Sequence, residues 1–176
     1  MAVARAPLSL KARAVGLLAQ REHSRAELRR KLLRIEQQRL RLAAARADGE
    51  SGGPAAEDEP DAEAGEAAVD ALLDALAADG YLNETRFVES RLHLRAGRFG
   101  TQRIQQELAQ HGLRLDAEQQ DALRTTELER AREVWLKRFG PEPATEPAEQ
   151  ARQTRFLLAR GFAGDVVRRV LRRNKD

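Results

Sequence analysis

The chain has 176 residues, of which 34% are charged and 4% aromatic, and its formal net charge is +3. This length allows one ordinary domain or a short stack of helical repeats, and it excludes two large domains. The abundance of Ala, Leu, Arg and Glu, together with the scarcity of aromatic residues, favours amphipathic helices over β-sandwiches. We therefore predict an all-α protein.

The cysteine and apolar content indicates the compartment. Because cysteine is absent, disulfides and thiolate zinc sites are excluded, and a reducing compartment is favoured. The sequence contains no run of about 18 or more apolar residues, and Met1 to Leu10 lacks the apolar centre of a secretory signal. We expect a cytoplasmic protein without a membrane partner.

Charge is distributed unevenly along the chain. Residues 1–46 carry 12 Lys and Arg against 3 acids, and residues 151–176 carry 8 against 2. Between them, residues 47–79 carry 11 acids and no base. Two basic ends indicate a polyanionic partner, such as DNA or an acidic protein groove. The alternative explanation is that the arginines lie on solvated helix faces.

Two helices are predicted in the first basic segment. Apolar residues share one face from Ser9 to Gln20, which indicates a first amphipathic helix. Ser24 and Glu27 have the spacing of a capping box, so a second helix is expected to begin just after Ser24. Its buried stripe is predicted to contain Leu28, Leu32 and Ile35.

Residues 47–66 differ in composition from everything around them. They contain 8 acids, 4 Gly and 2 Pro, with no aromatic and no branched aliphatic side chain. Such a segment buries too little apolar surface to offset the entropy lost on ordering. We expect a disordered acidic insertion in a helix connection, and a functional acidic segment is the alternative.

Seven more helices are predicted after this insertion, separated by Gly, Asn, Asp and Pro residues that typically begin or end helices. They contain Val69 to Leu76, Glu84 to Ala96, Ile104 with Leu108, a short segment capped by Asp116, Leu128 to Trp135, residues 148–160 and residues 165–173. With the first two, about nine helices are expected.

A local pattern repeats after 49 residues and supports grouping the helices in threes. The corresponding positions are Leu108, Gly112, Leu113 and Asp116 in one copy and Leu157, Gly161, Phe162 and Asp165 in the other. In each copy the glycine would end one helix and the aspartate would cap the next, as in a helix-turn-helix hinge. The predicted repeats are residues 1–83, which include the insertion, 84–125 and 126–176. Chance similarity between helical hairpins is the alternative.

The residues give no support for catalysis. His23, His93 and His111 are far apart in sequence, and none has the spacing of a helical zinc motif. Phosphate-binding loops, dinucleotide-binding glycine patterns and nucleophile elbows are also absent from the sequence. We therefore expect no enzyme activity, no metal and no cofactor.

Two helices separate basic residues from apolar ones and are the candidate binding surfaces. On the predicted second and last helices, the basic residues lie roughly opposite the apolar stripe. These candidate residues for binding a polyanionic partner are Arg30, Lys31, Arg34 and Arg41, followed by Arg168, Arg169, Arg172 and Lys175. Basic residues near a helix C-terminus also complement the helix dipole, so part of the pattern requires no ligand. Faces composed almost wholly of Arg favour phosphate contacts over base-specific recognition.

Four motifs, in order, resemble the RecX family of recombination regulators. Val15–Leu33 is similar to the opening segment of that family. Asp79–Phe87 resembles its GYLDDxRF signature, with Asn83 in place of the first Asp of that signature. Gly100–Leu113 is similar to its GxxRIxxEL element with the glycine that follows, and Phe156–Phe162 resembles its closing FLxxRGF.

The resemblance implies a fold and a partner. It implies three tandem three-helix repeats in an elongated, curved solenoid without catalytic residues. It also implies binding to the RecA nucleoprotein filament, inhibition of filament growth, ATPase and strand exchange in DNA repair, and weak non-specific DNA binding. We expect a monomer. The long acidic insertion stands where the family has a short glycine turn, so the first repeat departs from the family pattern there.

A helix-turn-helix transcription regulator is the alternative function. In that case residues 30–41 would enter a major groove and the protein would bind a specific DNA sequence as a symmetric dimer. The sequence shows no dimerisation helix, which favours the filament-binding regulator.

Overall fold

The computed structural model describes residues 8–50, 62–142 and 144–172. Within these ranges every regular element is an α-helix, which confirms the predicted fold class. The eight helices are α1 (Leu10–Gln20), α2 (Arg25–Glu50), α3 (Ala62–Ala78), α4 (Glu84–Ala96), α5 (Thr101–Ala109), α6 (Ala117–Phe139), α7 (Pro147–Ala159) and α8 (Gly164–Arg172). None of the helices in these ranges has both the length and the apolar composition needed to cross a membrane.

The helix count differs from the expected nine because the predicted sixth and seventh helices are one helix, α6. Its start is the predicted one, since Asp116 and Gln119 form a reciprocal capping box. No Gly or Pro occurs between Ala117 and Phe139, so nothing in the backbone ends the helix before Gly140, which has φ 80°. The continuous helix crosses the predicted boundary between residues 125 and 126.

The structure also differs from the predicted insertion at both of its ends. Helix α2 continues to Glu50, and α3 begins at Ala62, so residues 47–50 and 62–66 are helical. Glu66 pairs with Arg29 of α2 at 2.9 Å, a tertiary contact that the composition of the segment does not reveal. Residues 51–61 lie outside the described residues.

The chain divides into two compact units, Met1–Phe87 and Val88–Asp176. In the first, α1, α2 and α3 pack around a shared apolar core. Its buried residues are Ala14, Leu28, Leu32, Val69, Leu73, Leu76 and Leu82. The predicted stripe of α2 is confirmed at Leu28 and Leu32, whereas Ile35 is only half-buried.

Polar contacts join α2 to α3 beside this core. The guanidinium of Arg29 donates to both carboxylate oxygens of Asp70, at 2.7 and 3.0 Å. These hydrogen bonds and the nearby carboxylate of Glu66 raise the pKa of Arg29. The pair is bidentate, which fixes its geometry more tightly than a single contact would.

In the second unit, α6 contacts α5, α7 and α8. The core cluster contains Ala131, Trp135, Leu157, Phe162, Val166, Val167 and Val170. The indole N–H of Trp135 donates to the amide oxygen of Gln153 at 2.9 Å, so the buried polar atom of the largest core side chain is satisfied. Glu127, also buried, accepts from the backbone N–H of Thr101 at 3.0 Å and satisfies a donor at the start of α5.

The repeated hinge pattern is confirmed at its glycines and differs at one aspartate. Gly112 and Gly161 have φ of 74° and 79°, the left-handed conformation expected just after a helix. Asp116 caps α6 as predicted. Asp165, by contrast, lies in the first turn of α8, which already begins at Gly164, so it does not occupy the predicted cap position.

Candidate functional site

The basic face of α2 lies on the first unit and is formed by Arg30, Arg34 and Arg41, which are exposed. None of these three makes an ion pair with a described residue. Lys31, predicted with them, is half-buried and its Nζ lies 3.6 Å from a carboxylate oxygen of Glu27. Among the described residues these three guanidinium groups therefore have no acidic partner, whereas Lys31 lies beside an acid of its own helix.

The start of α2 is held by the predicted cap and by a set of charges around Glu27. The hydroxyl of Ser24 accepts from the backbone N–H of Glu27 at 3.1 Å. The carboxylate of Glu27 pairs with Arg21 and lies 3.3 Å from Nδ1 of the buried His23. Burial opposes ionisation of Glu27, but hydrogen bonds from Arg21 and the charges of its neighbours prevail and lower its pKa to about 2. Burial lowers the pKa of His23.

The basic face of α8 lies on the second unit and shows the predicted separation. Arg168, Arg169 and Arg172 are exposed, and none pairs with an acid in the described part of the chain. The apolar side is buried through Val166, Val167 and Val170, while Leu171 is half-buried. Lys175 lies outside the described residues. The three arginines are therefore exposed on α8, a helix whose opposite side packs into the core.

Arg86, which lies in the segment that resembles the GYLDDxRF signature, has a structural role. Arg86 donates through Nη1 to the carbonyl of Gly80 at 3.0 Å and through Nη2 to that of Tyr81 at 3.1 Å. Its Nε donates to Glu22 at 2.9 Å. Asn83 accepts from the backbone N–H of Arg86 and so caps α4, a role for which Asn is as suitable as Asp. The GYL-type motif thus holds the turn between α3 and α4.

Arg130 has a similar role in the second unit. Its guanidinium donates to the carbonyls of Ala96, Phe99 and Leu123 at 2.7 to 2.8 Å. Burial lowers its pKa, while the charge of Glu127 acts in the opposite direction. These carbonyls lie near the end of α4 and within α6, so Arg130 binds the connection between α4 and α5 to α6.

In addition to the basic faces of α2 and α8, the structure contains a third basic cluster, in the second unit, that the sequence patterns do not predict. Arg98, Lys137, Arg138 and Arg160 line one pocket together with Gly97, Val134 and Phe156. We call it the Arg160 pocket. Its cations come from three separate segments, so helical periodicity gives no signal for them. The only sequence signal is the position of Arg160 in the closing RGF motif.

Comparison with known proteins agrees with the motif resemblance. Residues 125–171 match the family model described as "RecX, third three-helix domain". The chain is 49% identical to the regulatory protein RecX of Leptothrix cholodnii over 98% of this chain and 93% of that protein. It is 45% identical to the regulatory protein RecX of Ralstonia pickettii over 97% of this chain and 91% of that protein. For the regulatory protein RecX of Herminiimonas arsenicoxydans, the identity is 38%, over 99% and 98%.

Identity at this level over nearly the whole length of both chains shows common descent and a common fold. The resemblance of the four motifs is thereby confirmed, and the chain belongs to the RecX family of regulatory proteins.

Proposed function

We propose that this protein binds the RecA nucleoprotein filament in the cytoplasm, as a monomer, and reduces its ATP turnover, growth and strand exchange. The observation that carries the proposal is 49% identity, over nearly the full chain, with a protein named regulatory protein RecX. The proposed role is binding, without a catalytic step by this chain.

The two basic faces support an acidic or polyanionic partner. Arg30, Arg34 and Arg41 on α2 and Arg168, Arg169 and Arg172 on α8 are exposed and unpaired within the described ranges. Exposed guanidinium groups form charge-assisted, often bidentate hydrogen bonds with carboxylates and phosphates. We assign these six residues, with Lys31 and Lys175, to contacts with RecA or with the DNA inside its filament.

We also propose that the three-helix repeats are residues 1–83, 84–125 and 126–176. In that arrangement α6, Ala117–Phe139, belongs to two repeats, and it contacts α5, α7 and α8.

The test is the ATPase activity of RecA on single-stranded DNA, with and without substoichiometric amounts of this protein. We expect inhibition well below one protein per RecA, because a ligand that stops filament growth acts on many subunits. Unchanged ATPase at equimolar protein would contradict the proposal.

A second arm separates filament binding from competition for DNA. With a large excess of single-stranded DNA, inhibition should persist if RecA is the partner and disappear if the protein only sequesters DNA. A helix-turn-helix transcription regulator would instead bind one duplex sequence preferentially and leave the ATPase unchanged.

A further inference from the structure

The Arg160 pocket is a concentration of positive charge without compensating acid. It has a volume of about 300 Å³, and the ionisable residues that line it are Arg98, Lys137, Arg138 and Arg160. None of these four forms an ion pair with a residue in the described ranges. Elsewhere on the same unit, arginines do pair with acids, as the half-buried Arg95 does with Glu107 at 3.0 Å.

Arg160 is positioned by stacking on an aromatic ring. Its guanidinium carbon lies 3.7 Å from the centroid of the Phe156 ring, so the group stacks on the aromatic face. Unlike the guanidinium of Arg130, which donates to several backbone carbonyls, that of Arg160 donates to no described residue. Stacking restrains the plane of the group, and donors that meet no acceptor among the described residues are available to a ligand.

The neighbouring cations raise the electrostatic energy of the Arg160 guanidinium in the protein without a ligand. Burial lowers the pKa of Arg160, and the positive charges of Arg98 and Arg138 lower it further. Repulsion of this kind decreases when an anion enters the pocket, so the electrostatic energy of the cluster favours an anionic ligand over the empty pocket.

The chemistry of the lining indicates phosphate in a nucleic-acid backbone. Guanidinium groups match the tetrahedral oxygens of phosphate in two-point contacts. Several cations side by side match a polymer that carries one negative charge at each nucleotide. The lining contains no Asn, Gln, Asp or Glu, so it lacks the side chains that recognise the edges of adenine and cytosine, and Arg160 already covers one face of Phe156.

We propose that the Arg160 pocket binds consecutive phosphate groups of a nucleic-acid backbone, without preference for base sequence. This site is separate in sequence from the basic faces of α2 and α8. The proposal does not depend on RecA, because binding is measured with this protein and DNA alone.

The test compares two triple variants of the full chain that lose the same charge. In the pocket variant, Arg98→Gln, Arg138→Gln and Arg160→Gln are combined. In the control, Arg114→Gln, Arg124→Gln and Arg132→Gln remove three exposed arginines of the same unit that line no part of the pocket. Binding of a fluorescein-labelled oligothymidylate is followed by anisotropy over a range of salt concentrations.

We expect the pocket variant to bind about tenfold or more weakly at ~0.1 M salt, and its salt slope to decrease by up to ~2, since each phosphate contact on a single strand contributes roughly 0.7. The control variant should keep most of its affinity for the oligothymidylate and most of its salt slope. An unchanged slope in the pocket variant, or an equal loss in the control, would overturn the assignment.

Circular dichroism of both variants tests the fold. If the pocket variant is unfolded, the same comparison is made with Lys137→Gln and Arg138→Gln against Arg124→Gln and Arg132→Gln, all at exposed positions of α6. A loss of salt slope only in the first pair supports the site, and equal behaviour of the two pairs refutes it.

A competition arm distinguishes the sources of phosphate. Unlabelled oligothymidylate should displace the probe far better than inorganic phosphate or ATP at the same phosphate concentration. Equal competition by ATP would show a pocket for free nucleotides and would refute a nucleic-acid backbone as the ligand.

Discussion

Gly100 and Gly161 lie backbone against backbone in the second unit. The N–H of Gly100 donates to the carbonyl of Arg160 at 2.9 Å, and the N–H of Gln102 donates to that of Gly161 at 3.2 Å. A Cβ at Gly100 would overlap the backbone of Gly161, and one at Gly161 would overlap the backbone of Arg103. The start of α5 is thus hydrogen-bonded to the turn between α7 and α8 at a distance that side chains would prevent.

We expect Gly161→Ala to destabilise the protein by roughly 3 kcal/mol, because it adds an overlap with backbone to the cost of a left-handed Ala. Gly112→Ala is the matched control, since Gly112 has nearly the same φ but open space around its Cβ position. It should cost only about 1 kcal/mol. Urea unfolding followed by circular dichroism measures the unfolding free energy of both variants. Equal losses of unfolding free energy would contradict a role for the close backbone contact at Gly161.

The carbonyls bound by Arg130 lead to a second prediction. Arg130→Lys should lower the free energy of unfolding by about 2 kcal/mol or more, because an ammonium group cannot replace a fork that donates to Ala96, Phe99 and Leu123 together. The control is Arg132→Lys at an exposed position of the same helix, for which a change within ~0.5 kcal/mol is expected. Similar stability of the two variants would show that the three carbonyls are satisfied without Arg130.

The pKa of Glu27 predicts a specific acid sensitivity. Its pKa is lowered from 4.5 to about 2 in the folded protein, so ionised Glu27 stabilises the fold above pH 4.5. This contribution is lost as the pH falls from 4.5 towards about 2, because the unfolded state takes up the proton first. Glu27→Gln should therefore flatten the dependence of unfolding free energy on pH within this window.

Arg21→Gln provides an independent check, since Arg21 is the strongest influence lowering the pKa of Glu27. It should raise that pKa, measured by NMR titration of the carboxyl group, and weaken the same pH dependence. If the pKa of Glu27 stays near 2 in Arg21→Gln, a group other than Arg21 stabilises the ionised carboxylate.

The basic face of α8 is tested by charge reversal of Arg168, Arg169 and Arg172 to Glu. Folding should survive, because Val166, Val167 and Val170 keep their packing and the changed positions are exposed. Inhibition of the RecA ATPase should be strongly reduced. If the arginines contact phosphates, the salt slope of duplex DNA binding should also fall by up to ~3, whereas contacts with acidic RecA side chains would leave that slope unchanged.

The control for this variant reverses Arg114, Arg124 and Arg132 to Glu, which gives the same net charge on the same unit. It should retain most of the inhibition. Wild-type inhibition and wild-type DNA binding in the α8 variant would show that its arginines are only a solvated surface.

Local patterns were sufficient to predict most of the helices. The caps at Ser24 and Asp116, the apolar stripe of α8 and the left-handed glycines all depend on residues within one or two turns of each other. Where prediction differed, the cause was also physical. The interior of α6 contains no Gly or Pro, and Glu66 lies in a helix and pairs with Arg29, 37 residues earlier, a contact that local composition does not contain.

The sequence by itself determined the helical fold, the family and the amphipathic faces of α2 and α8, since each follows from periodicity or from motifs of neighbouring residues. Only the tertiary structure decided which arginines are available to a ligand. Arg130 and Arg160 are both helix-associated arginines, yet Arg130 donates to carbonyls up to 34 residues away, whereas Arg160 stacks on Phe156 and its guanidinium donates to no described residue. Such differences arise from contacts between segments distant in sequence, which no local pattern contains.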